Sequence, residues 1–201
     1  MPDRTLKPKR LLLLGQSYRV LRVRRKRQVH WHWRLKVDKL SVIANELTGG
    51  NPMKIGLVCS EGGHLTEMLE LLEAFEGHRL FFVTYHSRRV KELKRHYQVY
   101  ALPDIGVSLI RMLSSFPVAW RVLWRERPGA LVSTGSEIAI PFFILSKVLR
   151  IRTIFVESCC RVHSPSGTGR VLYPLADVFL VQWPQLLAVY GSKACYRGGL
   201  L

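Results

Sequence analysis

The chain has 201 residues, 48% of them hydrophobic, with 31 Lys/Arg against 14 Asp/Glu and a formal net charge of +17. That length suffices for one well-buried core and is too short for two complete nucleotide-fold domains. Four cysteines with no CxxC pair, and no His/Cys spacing suited to zinc, leave no metal module and point to free thiols in a reducing compartment.

The basic excess sits at the start. Residues 1–52 carry 13 Lys/Arg against 3 acids, peaking at Arg22-Val23-Arg24-Arg25-Lys26-Arg27, with Trp31 and Trp33 set among the following cations. Three readings fit this extension: an arm that binds nucleic acid by counterion release and base stacking, a segment lying on an anionic membrane surface, or a dispensable tail ahead of a natural start at Met53. Regular patterning begins abruptly at Met53, after Thr48-Gly49-Gly50-Asn51-Pro52, which favours the tail and divides the chain into a basic extension, 1–52, and a folded domain, 53–201. Leu11 to Leu14 is too short for a signal-peptide core, and no run reaches the ~18 apolar residues of a spanning helix.

From Met53 onward strand and helix patterns alternate. Strands are expected at Lys54–Cys59, Leu80–Thr84, Val99–Leu102, Ala130–Ser133, Thr153–Val156 and Val178–Val181, each short, β-branched and apolar on both faces, as buried parallel strands are. Helices are expected at Leu65–Phe75, Arg88–Tyr97, Val107–Arg125, Ile138–Leu149 and Gly169–Ala176. The segment from Ile105 to Trp124 combines Trp, Leu and Ile with Arg111 and Arg121. It reads either as an interfacial membrane helix or as a core helix broken at Pro117. The alternation predicts an α/β fold, a Rossmann-like doubly wound parallel sheet whose ligands lie at the carboxyl ends of the strands.

The loops at those ends carry the candidate chemistry. The first, Ser60-Glu61-Gly62-Gly63-His64, empties a strand into a helix and offers bare N–H groups and a helix dipole to a phosphate, or simply turns the chain tightly. The second is Thr134-Gly135-Ser136-Glu137. The third, Glu157 to Arg170, brings Arg161 and Arg170 to the same crevice as anion-seeking cations, with an Arg161–Glu157 ion pair as the alternative. The fourth is Gln182-Trp183-Pro184, whose Trp183 fits core packing or sugar stacking equally. Cys59 ends a buried strand and reads as structural.

Two signatures then resemble a known family. Ser60-Glu61-Gly62-Gly63-His64-Leu65-Thr66-Glu67-Met68-Leu69 is similar to the opening of oligosaccharide-biosynthesis proteins that form one half of a split GT-B glycosyltransferase. Phe155-Val156-Glu157-Ser158, Arg161-Val162, Thr168-Gly169-Arg170-Val171-Leu172-Tyr173-Pro174-Leu175-Ala176-Asp177 and Val181-Gln182-Trp183-Pro184 resemble bacterial capsule and exopolysaccharide subunits related to the membrane-recruiting subunit of the dolichol-pathway GlcNAc transferase. The resemblance covers Met53 to about Leu201.

It implies the N-terminal half of a GT-B fold. This acceptor side of a heterodimer would use a separate donor-binding subunit to complete a cleft for a UDP-sugar and a polyprenyl-diphosphate-linked saccharide, at the cytoplasmic face of a membrane. By analogy the cleft needs no metal or other cofactor; the rival readings are a non-catalytic membrane adaptor of a transferase and, supported by the basic arm alone, a nucleic-acid-binding protein. Ser60, Gly62, Gly63, Gly135, Ser136, Glu157, Arg161, Arg170 and Trp183 become the substrate- and phosphate-binding candidates, and dipoles and cations would stabilise the departing diphosphate. The helix dipole favours a neutral imidazole at His64, the candidate general base; the alternative is a histidine that buttresses the loop. Glu61 and Glu137 fit less well, since a carboxylate beside a diphosphate is repulsive unless it faces away, acts as base or meets a cation.

Overall fold

The computed structural model of the chain describes residues 51–106 and 108–200. The basic extension up to residue 50 lies outside the described residues, as does Val107. The elements are β1 (Lys54–Cys59), α1 (Gly63–Glu70), β2 (Arg79–Tyr85), α2 (Arg88–Leu93), β3 (Gln98–Leu102), α3 (Leu109–Glu126), β4 (Ala130–Gly135), α4 (Ala139–Val148), β5 (Arg152–Val156), α5 (Gly167–Leu172), β6 (Val178–Val181), α6 (Gln185–Tyr190) and β7 (Ala194–Tyr196). All seven strands pair in parallel, in the order β3-β2-β1-β4-β5-β6-β7. The strand order reverses between β1 and β4, so the ligand crevice of such a sheet falls beside the loops that follow these two strands.

Alternation along the strands sends side chains to two cores. On one face Val58, Phe81, Val83, Leu131, Phe155 and Phe179 pack under α3, α4, α5 and α6. On the other, Ile55, Leu57, Cys59, Phe82, Val132 and Ile154 pack under α1 and α2. Gly56 in the central strand lets the first core close: a Cβ there would lie 2.5 Å from both Leu131 Cδ2 and Phe81 Cζ.

The structure adjusts several expected boundaries. The first helix stops at Glu70 and a 3-10 turn, Leu72–Phe75, takes the chain toward β2. Its i→i+3 bonds wind the chain more tightly than an α-helix and end the run expected to continue to Phe75. The second helix ends at Leu93 in turns rather than reaching Tyr97. The fifth starts at Gly167, two residues early, because Ser166 caps it by accepting from Gly169 N. β7 and α6 are too short to announce themselves by periodicity and were absent from the expected elements.

α3 is the largest helix, with 18 residues, and it is not broken at Pro117. The carbonyl that a residue with an N–H at 117 would have bonded belongs to Leu113, and both Leu113 and Pro117 lie on the exposed side of the helix, so the missing bond falls outside the core. Only Ser115, Ala119, Val122 and Leu123 of this helix are buried. Leu109, Ile110, Leu113, Val118, Trp120 and Trp124 remain exposed, Ile110 by 79%, and Trp120 stacks on Trp124 with centroids 5.9 Å apart.

Candidate functional site

The site begins with an irregularity in the central ladder. β1 and β4 run in register from Ile55↔Ala130 to Val58↔Ser133; the register then shifts, and Cys59 faces Gly135. The extra residue, Thr134, donates its hydroxyl to the His64 carbonyl at 2.8 Å, tying the first turn of α1 to the end of β4. A bulge of this kind re-aims side chains at the carboxyl rim of a sheet.

Gly62 precedes α1 with φ 82°, and its carbonyl accepts from Thr66 N at 3.0 Å, Thr66 Oγ1 at 3.1 Å and Arg89 Nη1 at 3.3 Å. Arg89 from α2 also donates to Thr66 Oγ1 at 3.1 Å. No side chain caps α1, so its first N–H groups remain available at an open, Cβ-free surface formed by Gly62 and Gly63. The first loop thus combines an uncapped helix start with a neighbouring guanidinium, a suitable seat for an anionic oxygen. Ser60 lies partly buried at the mouth of this loop, and Glu61 is exposed beside it.

His64 lies against the second loop. Gly135 has φ 128°, and a Cβ on it would meet the imidazole at 2.7 Å from Cε1, so the ring occupies the space that any side chain at 135 would fill. Ser136 follows with φ 77°, a left-handed conformation that is costly for a residue with a Cβ. Its hydroxyl donates to Glu137 Oε2 at 2.8 Å, while Tyr85 donates to Glu137 Oε1 at 2.7 Å. Burial and that carboxylate push the Tyr85 hydroxyl far up in pKa, keeping it a donor. Glu137 therefore turns into the protein, which removes the repulsion that its sequence position suggested.

The third loop is held by two buried carboxylates. Glu157 is 1% exposed, and the protein itself fills both its oxygens. Oε1 accepts from Ser158 N at 3.0 Å; Oε2 accepts from Ser166 N at 3.2 Å, from Ser166 Oγ at 3.1 Å and from the Tyr190 hydroxyl. Its backbone carbonyl accepts from Gln182 Nε2 at 2.9 Å. Glu157 thus organises the loop rather than facing a ligand, and the considered Arg161–Glu157 ion pair does not form. Arg161 and Arg170 are exposed and free of ion pairs among the described residues. Trp183, 39% exposed, donates Nε1 to the Cys159 carbonyl at 2.6 Å, so its ring edges the third loop instead of filling the core.

The second carboxylate, Glu67, was not singled out from the sequence, nor was Arg89. Glu67 is 2% exposed, and its Oε1 accepts from Ser158 Oγ at 3.1 Å and Cys159 N at 2.8 Å. Its Oε2 and His64 Nδ1 face each other at 4.0 Å, and both atoms are buried without a hydrogen-bond partner. The signal was present in Gly62-Gly63-His64-Leu65-Thr66-Glu67: positions three apart share a helix face, and a glutamate among Leu65 and Met68 is an acid inside an apolar stripe. Cys59 and Cys159 are not poised as nucleophiles. All four thiols are free; burial pushes Cys59 up to about 12, and partial burial followed by the Glu67 carboxylate does the same for Cys159.

Ser60, Gly62, Gly63, His64, Gly135 and Ser136 thus meet at the reversal of strand order, with Trp183 and Glu157 supporting the adjoining loop. A separate hollow lies away from this corner. It is a depression of about 230 Å³ lined by Leu123, Trp124, Arg127, Pro128, Leu149 and Ile151, where α3 and α4 end.

A family model described as "Oligosaccharide biosynthesis protein Alg14 like" matches residues 90–200. The UDP-N-acetylglucosamine transferase subunit ALG14 of Yarrowia lipolytica is 30% identical over 179 residues, covering 75% of this chain and 82% of that protein. The subunit of the same name from Homo sapiens is 25% identical over 193 residues, covering 78% and 87%. Among solved structures, Acinetobacter baumannii MurG superposes with a TM-score of 0.61 at 16% identity, over 72% of this chain and 45% of that one. UDP-N-acetylglucosamine 2-epimerase from Rickettsia bellii gives 0.59 at 14%, over 75% and 46%. The chain therefore spans just under half the length of these structures, and the likeness to them is one of fold.

Proposed function

This chain belongs to the family of Alg14-like oligosaccharide biosynthesis proteins, and from that premise we propose that it is the acceptor-side half of a two-chain UDP-sugar glycosyltransferase. It recruits a separate donor-binding subunit to a membrane and contributes one wall of their common cleft. The observation that supports this reading is the crevice at the reversal of strand order, where an uncapped glycine loop, Arg89 and His64 are assembled at the edge of one seven-stranded parallel sheet.

In this mechanism His64 accepts the proton of the acceptor hydroxyl as its oxygen bonds to the sugar C1, and the bond from C1 to the UDP oxygen breaks with the electron pair leaving on UDP. The α1 N–H groups and Arg89 steady a diphosphate, with Arg161 and Arg170 free to reach the same charge. The sugar is N-acetylglucosamine, by kinship with the relatives of that name, and the acceptor is an isoprenoid-diphosphate-linked saccharide in glycan or polysaccharide assembly. Among the described residues no helix is long and apolar enough to cross a membrane. The exposed apolar face of α3, flanked by Arg111, Arg121 and Arg125, would lie on the cytoplasmic surface instead.

Co-purification of the full chain with a donor-domain partner, then transfer from UDP-N-acetylglucosamine to a lipid-diphosphate saccharide, tests this reading. The complex is expected to transfer, and His64→Ala to lower kcat by about 10²–10⁴-fold with the complex intact. An assembled His64→Ala complex working at the wild-type rate would reduce the chain to a recruiting adaptor.

A further inference from the structure

Glu67 and His64 present a pairing that the proposed role of His64 leaves unexplained. A buried carboxylate oxygen and a buried imidazole nitrogen, each without a partner, stand 4.0 Å apart on one turn of α1. Unsatisfied buried polar atoms are expensive and rare, and two that face each other are close to satisfying one another. The separation exceeds a hydrogen bond by about 1 Å. Closing it falls to the imidazole, because Ser158 and Cys159 hold the other oxygen of the carboxylate.

We infer that Glu67 is a positioning residue: its buried carboxylate accepts the Nδ1 proton of His64 and so presents unprotonated Nε2 to the acceptor hydroxyl. This inference rests on the base role proposed for His64. The side chain keeps about a third of its surface exposed while Nδ1 is buried, so the proposal gives the contact with the acceptor to Nε2. When Nε2 takes the acceptor's proton, the imidazolium forms beside a carboxylate that already holds its Nδ1–H, so the developing charge is compensated without moving solvent. The remaining charged or titratable groups around the pair are Arg89 of α2 and the thiols of Cys59 and Cys159, both kept protonated by burial. Glu67 also joins α1 to the third loop through Ser158, so the base and the loop bearing Arg161 are set by one side chain.

The test uses the full chain in complex with its partner, comparing Glu67→Gln, Ser158→Ala and His64→Ala. Glutamine keeps the size and the acceptor for Ser158 but offers an amide instead of a negative charge. Glu67→Gln is expected to lower kcat by about 10- to 100-fold with KM for both substrates changed less than about twofold. The acid limb of its rate profile should move to lower pH, because removing the carboxylate withdraws support from the imidazolium. Ser158→Ala, which leaves the carboxylate in place, should leave that limb where it is. Nitrogen-15 shifts of the His64 ring in the wild type should report a protonated Nδ1, a reading that needs no variant to fold.

A wild-type ring protonated on Nε2 alone would overturn the pairing, as would Glu67→Gln turning over within about twofold of wild type. A limb displaced equally by Ser158→Ala would assign the effect to the loop instead. Loss of activity in His64→Ala combined with an unimpaired Glu67→Gln would sink the pairing and spare the base. Unimpaired His64→Ala would sink the base itself.

Discussion

Gly135 is the residue on which the site turns. Its φ of 128° suits only glycine, and the imidazole of His64 occupies the volume where a methyl would go. Gly135→Ala should therefore cost about 1–3 kcal/mol of stability from backbone strain. It should also lower transfer at least about tenfold by pushing His64 off Thr134 and away from Glu67. Thermal unfolding and kcat measured on the same preparation check both. That the glycine loop, His64 and Gly135-Ser136 lie at one edge of the sheet was legible in the sequence, because each follows an apolar strand and opens a helix. The sequence did not reveal that Glu157 spends both oxygens on Ser158, Ser166 and Tyr190, since α6, which supplies Tyr190, is six residues long and lacks a usable period. Glu67 was hidden for a different reason: a glutamate in a helix ordinarily belongs to the solvated face, and its burial depends on a loop 91 residues away.

At the scale of elements, strands read better than helices. β1 and β6 match their expected limits because continuous apolar runs end where polar loops begin. Helix ends moved where caps and tight turns, rather than hydrophobic spacing, decide them. α3 was expected to break at Pro117 if it packed on the core; it packs and stays whole because its proline faces water. Replacing Ile110, Leu113, Trp120 and Trp124 by serine should weaken sedimentation with anionic vesicles by more than about tenfold, each side chain losing about 1–3 kcal/mol of apolar transfer when docked. Thermal stability should stay within about 1 kcal/mol, because all four are already exposed. A second prediction concerns the β5–β6 side of the sheet. Asp177 accepts from Lys147 Nζ at 2.6 Å and from Thr153 N at 2.7 Å. Against the upward pull of partial burial, these bonds hold its carboxyl below the ordinary value. The contribution is complete above the unfolded-chain pKa and is lost as pH falls toward the lower folded value, so Asp177→Asn should flatten the acid side of the stability profile. Urea unfolding between about pH 5 and pH 2 tests the sign.

At the scale of the whole molecule, charge and topology govern different properties. With a net +17, much of it in residues 1–52, removal of residues 1–50 should reduce affinity for anionic vesicles and its salt dependence, each cation contributing about 1 kcal/mol near the surface. Transfer to a short-chain, water-soluble acceptor by the assembled complex should be unchanged; loss of that transfer would give the extension a role in the cleft. The strand order has a consequence for the sequence of events during synthesis. β1 is made first among the strands yet lies in the middle of the sheet, and its partner Ala130 follows Ile55 by a long detour through β2 and β3. The nascent chain can zip β1, β2 and β3 locally, but His64 has no seat until Gly135 leaves the ribosome, and Glu67 has no anchor until Ser158 does. The corner that holds His64 is thus completed late, once Ser158 has been made, with β6, α6 and β7 still to follow. A growing chain therefore carries His64 and Glu67 unrestrained through most of its synthesis.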